Sequence, residues 1–356
     1  MNKQIKVNDT SLIGDFTSPY LIAEIGTNHD RKLETAIELV IAAANAGFDC
    51  AKFQTYEPHE IVSGEVRASE YGLDKYYGDI SAVDMFEQYL KTPKDWFPQL
   101  KEVCKGYGID CATTIHGAHG LSWANEIGFD VIKIASMDHN NFPFLKSLVN
   151  QVDAPILISF GMAELADIDE AISILKEHKK GLGLFHCVSL YPPKPDELRL
   201  FNIKFFTDRY EVPVGFSDHA EDVITSLAAS ALGASIFEKH ITLNKNGKGP
   251  DHAFALEPSE MKSYVNGIRT LAEEQASKTF SAPKTNEVAI RNAYMKSIVI
   301  VNDLPKGHIL KSNDLALIRP GKGLAPKEFG NVINKKLNKS LHRGHLLSWK
   351  DLDIIT

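Results

Sequence analysis

Two short runs carry more chemistry per residue than the rest of this chain: Gly215-Phe-Ser-Asp-His-Ala220 and Phe237-Glu-Lys-His240. Each is an apolar stretch that ends abruptly in acidic, basic and imidazole side chains. Between them, Val223, Leu227 and Leu232 fall at helical spacing, and Gly233 stands where a helix would stop. Strand, helix and strand in that order form a βαβ unit with parallel strands, which puts His219 and His240 at the same end. Two neutral imidazoles there suit a divalent ion such as Mn²⁺, Zn²⁺ or Fe²⁺ with positions left open for substrate. Two unrelated loop histidines are the plainer alternative.

Other strand-like runs end the same way. Glu24 leads into Ile-Gly-Thr-Asn-His29, and Lys52 stands beside Gln54. Further along come Thr113 and Thr114; Lys133, Ser136 and Asp138; Ser159; and then His186, Ser189 and Tyr191. After His240 follows Gly249-Pro-Asp-His252. Lys52 and Lys133 lie inside apolar runs, where an unpaired ammonium is costly to bury. They bind an anion, form a Schiff base, or pair internally with Glu24 or Glu238. Glu24 is the leading general acid/base, with partnering a lysine as the other reading. Asp251 is either a site carboxylate or a turn residue. His29, His116 and His186 read first as hydrogen-bonded histidines around a mouth.

The elements that must position these groups are eight apolar runs of strand length, at Tyr20–Ile25, Cys50–Phe53, Ile109–Ala112, Val131–Ile134, Ile156–Ser159, Gly183–Cys187, Val212–Phe216 and Ser235–Phe237. Amphipathic stretches separate most of them, which predicts an α/β fold of (β/α)8 TIM-barrel type with its chemistry at the C-terminal strand ends. A doubly wound open sheet is the competitor. Leu33, Ile37, Val40, Ile41 and Ala44 predict one helix face ending at Gly47, and Thr92-Pro-Lys-Asp95 predicts a capped helix start. Residues 3–16 read as a hairpin that caps something. The long Tyr56–Asp79 connection reads as a loop over the mouth. The expected domains are a barrel at 1–280, a linker at 281–291 and a small, mostly β unit at 292–356.

Bulk composition is ordinary for a globular chain of 356 residues, with 44% hydrophobic and 24% charged. A net charge of −7 gives no footprint for nucleic acid or an anionic membrane. No run reaches transmembrane length and no signal peptide is evident, so a cytoplasmic location is expected. Cys50, Cys104, Cys111 and Cys187 form no CxxC pair and read as buried reduced thiols.

Taken together, Ala23-Glu-Ile-Gly-Thr-Asn-His29, Lys52-Phe-Gln54, Lys133-Ile-Ala-Ser136, Gly215-Phe-Ser-Asp-His219, Glu238-Lys-His240 and Gly249-Pro-Asp251 resemble the sialic acid synthase (N-acetylneuraminate synthase) family. Arg319-Pro-Gly-Lys-Gly-Leu-Ala-Pro326 looks like the antifreeze-like SAF domain that ends such enzymes. The likeness runs from about residue 18 onward. It implies condensation of phosphoenolpyruvate with an N-acyl amino sugar, N-acetylmannosamine or a 2,4-diacetamido relative, to a nonulosonic acid plus phosphate. By that resemblance His219 and His240 hold a metal, Mn²⁺ before Mg²⁺ or Co²⁺. Lys52, Thr113, Lys133, Ser136, Ser159, Ser189 and Ser217 grip phosphoenolpyruvate, and Tyr191 and Asp251 face the sugar. Asp138, where the family commonly has Glu, counts among the substrate-binding groups. A domain-swapped homodimer is implied, with Arg319 reaching the acyl group in the partner's barrel. Departures at Asp30-Arg31, Thr114, Asp138, Phe160, Val188 and Ala220 bear on the sugar rather than on the reaction. Other readings are a metal- or Schiff-base-dependent barrel aldolase or hydrolase using Lys133, and a non-catalytic carbohydrate-binding protein.

Overall fold

The computed structural model describes residues 4–14, 17–274 and 282–353. The chain divides near residue 276 into two compact units. In the first, a hairpin of β1 (Gln4–Lys6) and β2 (Leu12–Gly14) precedes eight parallel strands. These are β3 (Tyr20–Glu24), β4 (Cys50–Thr55), β5 (Asp110–Ile115), β6 (Val131–Ile134), β7 (Ile156–Phe160), β8 (Leu182–Cys187), β9 (Val214–Asp218) and β10 (Ile236–His240). They pair in chain order, and β10 pairs back onto β3, which closes the barrel.

The closed wall carries two apolar layers. Outward side chains such as Phe53, Phe216 and Phe237 pack under the helices. Inward ones, Ile22, Ala112, Leu157, Phe185 and Ile236, fill the lower lumen together with Ile5 and Ile13 of the hairpin. The hairpin is therefore the plug of the barrel floor, and it is pinned by Asn8 donating to Asp110 at 2.6 Å.

Three local expectations change. The helix Leu33–Ala46 does end at Gly47, whose φ of 95° suits a residue with no Cβ. Its buried stripe is Ala36, Leu39, Val40 and Ala43, one residue round from the predicted face. Small alanines at the contact let the helix approach the wall, and the larger Leu33, Ile37 and Ile41 flank it half-buried. Thr92 caps no helix. Its hydroxyl sits 3.0 Å from His29 Nε2, and the helix proper begins at Phe97. The Tyr56–Asp79 connection is built of helical turns (Pro58–Ile61, Ala68–Tyr71, Asp74–Tyr77) with a small core around Val62, Ala68 and Met85.

In the second unit, β11 (Ser297–Ile300) and β12 (Leu315–Ile318) form an antiparallel pair over a core that includes Ile298, Ile300, Leu310, Leu337 and Leu347. A helix, Thr285–Tyr294, occupies most of the stretch expected as linker. Residue 281 of that expectation lies outside the described residues. Among the described residues no helix is long and apolar enough to cross a membrane.

Candidate active site

Strand alternation explains why chemistry collects at one end of the lumen. Side chains two apart share a face. The inward positions therefore step from apolar floor to polar mouth: Ile22 to Glu24, Cys50 to Lys52, Ala112 to Thr114, Val131 to Lys133, Leu157 to Ser159, Phe185 to Cys187, and Ile236 to Glu238 and His240. The polar ends line a cavity of about 470 Å³. Ser136, Ser189, Tyr191, Ser217, His219 and Asp251 join them from strand ends and loops, and Tyr71 and Phe86 reach it from the helical connection.

At the base of the cavity lie two lysine–glutamate pairs. Lys52 Nζ is 2.5 Å from Glu24 and 3.7 Å from Glu238, and Lys133 Nζ is 2.7 Å from Glu238. All four side chains are almost fully buried. Lys52 also donates to Thr114 Oγ1 at 2.6 Å, and Ser217 donates to Glu238 at 3.0 Å. Of the readings open for the two lysines, internal pairing is the one the structure shows. The two carboxyls differ. Burial pushes Glu24 up, with Lys52 pulling against it. Burial acts on Glu238 too, yet Lys133 and Lys52 together hold its carboxylate well below the usual range. Glu24 is consequently the one suited to carrying a proton.

The hydroxyls have a built cradle. Gly161 N–H donates to Ser136 Oγ at 2.9 Å, and a Cβ at Gly161 would collide with the hydroxyls of Ser136 and Ser189. The buried hydroxyl oxygens of Ser159 and Ser189 have no partner among the described residues, as groups awaiting a ligand do.

His219 and His240 stand side by side, ring centroids 5.4 Å apart, His219 one residue beyond the end of β9 and His240 at the end of the adjacent parallel strand β10. Burial and neighbouring His219 hold His240 well below the ordinary imidazole value, and its Nδ1 is buried without a hydrogen bond, 3.8 Å from Asp251. Burial pulls His219 down, but Cys187 Sγ at 3.9 Å and the Val188 carbonyl lift it above its usual value. Its Nδ1 lies 2.9 Å from Val188 O, leaving Nε2 as the nitrogen not used there. The residues fit a metal held by two imidazoles, with each ring oriented by its surroundings. Among the described residues no group of three or more His, Cys, Asp or Glu forms a closed cage, so further ligands would come from water or substrate. Tyr191 and Phe254 wall the pair, with centroids 4.3 Å from His219 and 5.0 Å from His240.

Some expected residues lie elsewhere. Thr113 points to the outer face, where its hydroxyl meets Phe53 O and Thr55 Oγ1; neighbouring Thr114 faces Lys52 instead. A one-residue step flips a strand side chain to the other face, so the cavity-lining threonine is Thr114. Asp138 does not line the cavity. It holds His116 Nδ1 at 2.8 Å, and His116 is the rim residue. His186 faces out, bonded to Leu198 O, while Cys187 faces in. His29 is buried beside Thr92, and burial takes its pKa down to about 4. Asp30 and Arg31 adopt φ of 52° and 56°, the left-handed region glycine favours, and are anchored to His252 and Lys91 O. Arg319, in the second unit, is exposed over the Tyr294 ring at 4.8 Å. Alternation of the runs was available to find Thr114 and Cys187. No sequence signal pointed to Phe254.

The chain is similar to known proteins over most of its length. The NeuB family profile matches residues 39–279, and the SAF domain profile matches residues 296–353. The chain is 32% identical to N,N'-diacetyllegionaminic acid synthase of Legionella pneumophila, covering 99% of this chain and all of that one. It is 32% identical to N-acetylneuraminate-9-phosphate synthase of Drosophila melanogaster, over 90% of this chain and 92% of the relative. The crystal structure of N-acetylneuraminic acid (sialic acid) synthetase from Leptospira borgpetersenii superposes with a TM-score of 0.71 at 29% identity, over 81% of this chain and 95% of that one. With the barrel, its polar mouth and the terminal unit all in place, the chain belongs to the NeuB family.

Proposed function

We propose that this protein is a transferase condensing phosphoenolpyruvate with the open-chain aldehyde of an N-acyl amino sugar, releasing phosphate and a nonulosonic acid. The observation that carries this reading is the juxtaposition, in one cavity, of two buried lysines and a hydroxyl cradle with two adjacent imidazoles. Relatives named as legionaminic, pseudaminic and N-acetylneuraminate-9-phosphate synthases support it.

Phosphoenolpyruvate is a weak carbon nucleophile, so both reactants must be held in line. In this reading Lys52, Lys133, Ser136, Ser159, Ser189 and Ser217 hold its carboxylate and phosphate, with Thr114 fixing Lys52. Tyr191 and Asp251 orient the sugar. C3 of phosphoenolpyruvate bonds to the sugar's aldehyde carbon, whose oxygen takes up a proton, and positive charge develops at C2 of the former enol near Glu24. Glu24, able to exchange a proton, directs water to that carbon. The tetrahedral adduct then expels phosphate, whose charge the lysines stabilise. When bound by His219 and His240, a divalent cation, Mn²⁺ in our reading, supplies Lewis-acid polarisation of the acceptor carbonyl. We also infer a domain-swapped homodimer in which Arg319 meets the partner's acceptor, and a cytoplasmic location, in keeping with four buried free thiols.

Phosphate release from phosphoenolpyruvate against a panel of N-acyl hexosamines, before and after chelation, tests the reading. Release with at least one acceptor, lost on chelation and restored by Mn²⁺, is expected. A borohydride-trapped pyruvate adduct on Lys133 without phosphate release would favour an aldolase instead.

A further inference from the structure

Asp218 and Lys239 take part in no step described above, yet they flank the two metal-facing histidines. They are register partners on β9 and β10, on the outer face of the barrel wall, and both side chains are 0% exposed. Two residues earlier on that face stand Phe216 and Phe237, the apolar filling typical of the layer. A buried ion pair is usually no more stabilising than apolar residues of similar size, so stability alone does not explain one here.

Their contacts do. Asp218 Oδ1 accepts the Ala220 N–H at 2.8 Å, and the Lys239 ammonium donates to the Ala220 carbonyl. The pair thus grips, on both its N–H and its C=O, the residue that follows His219. Lys239 itself immediately precedes His240. Asp218 Oδ2 lies 3.4 Å from Lys239 Nζ and accepts from Thr225 Oγ1 at 2.8 Å and Ser226 Oγ at 2.6 Å, which fastens the assembly to the helix Ile224–Ala231. Ser226 Oγ in turn lies 3.1 Å from the buried Tyr264 hydroxyl on the helix Pro258–Glu274. One charge pair therefore couples the turn bearing His219, the strand end bearing His240 and two covering helices.

We propose that Asp218 and Lys239 are positioning residues that hold the His219 and His240 rings at the spacing one divalent cation requires. The inference rests on the reading of those histidines as metal ligands. A buried, hydrogen-bonded network specifies geometry where an apolar pair would only fill space.

The test is Mn²⁺ titration calorimetry on the full chain, comparing wild type with the double variant Asp218→Asn/Lys239→Met, which removes both charges together. The expected result is Mn²⁺ affinity weakened at least ten-fold, with unchanged circular dichroism and a melting temperature close to wild type. Turnover should fall far more than KM for phosphoenolpyruvate rises. A folded double variant with Mn²⁺ affinity within two-fold of wild type overturns the proposal. Should that variant not fold, Thr225→Val/Ser226→Ala keeps the ions paired and removes two anchoring bonds. Several-fold weaker Mn²⁺ binding in it supports the role, and unchanged binding overturns it. Wild-type protein that releases phosphate but binds no Mn²⁺ sinks the metal reading and this inference, while leaving the condensation itself standing.

Discussion

Lys52 and Lys133 illustrate how much a single side chain depends on its facing residue. Each ammonium is stable in the lumen because a carboxylate lies within 2.7 Å, and together they leave Glu24 and Glu238 in unlike electrostatic surroundings. Thr114 belongs to the same arrangement and Thr113 does not. Thr114→Val removes a hydrogen bond to a charged group, worth roughly 1.5–3 kcal/mol. KM for phosphoenolpyruvate should therefore rise at least about ten-fold, whereas Thr113→Val should change it less than about two-fold; initial rates against phosphoenolpyruvate concentration decide between them. Equal effects would return Thr113 to the site. The sequence showed both threonines at a strand end, but which one faces inward is a matter of register, and register is set by neighbouring strands.

Among the elements, the hairpin does the clearest structural service. Ile5 and Ile13 close the lumen at the end opposite the polar mouth, packed with Leu157, Phe185 and Ile236. Ile13→Ala leaves a void in a floor that is otherwise filled and should destabilise the chain by about 2–4 kcal/mol. Urea unfolding measures that loss, and turnover at low temperature should stay near wild type because the mouth is untouched. A capping role was legible from two short apolar runs around Asn8-Asp9. What the hairpin caps was not, since its partners come from strands far along the chain. The helix Thr285–Tyr294 was missed for a related reason: its flank, Ser-Ala-Pro-Lys, reads as a linker, and it has no buried face to betray an apolar stripe.

At the scale of the whole molecule, the second unit supports two predictions of its own. In the second unit Asp351 accepts from Lys339, His345 and Ser348, and these bonds outweigh burial and hold its carboxyl well below the usual range. A carboxylate lowered on folding adds stability above its unfolded value, about 3.9, and loses it as pH falls through the folded value. The urea midpoint of this unit should thus drop on acidification below about pH 4, and Asp351→Asn should start lower at neutral pH and decline less. If Arg319 serves the acceptor, Arg319→Ala should raise the sugar's KM at least about five-fold while barely moving that of phosphoenolpyruvate; equal shifts would place it elsewhere. By itself the sequence determined the eight strands, their order and the polar character of their ends, because apolar runs and punctuating glycines are local signals. Only the tertiary structure decided that Lys133 meets Glu238, 105 residues away, that Asp138 serves His116, and that Cys187 rather than His186 faces the cavity. Those outcomes follow from closure of the barrel, which fixes the inward face of every strand at once and brings the first strand against the last.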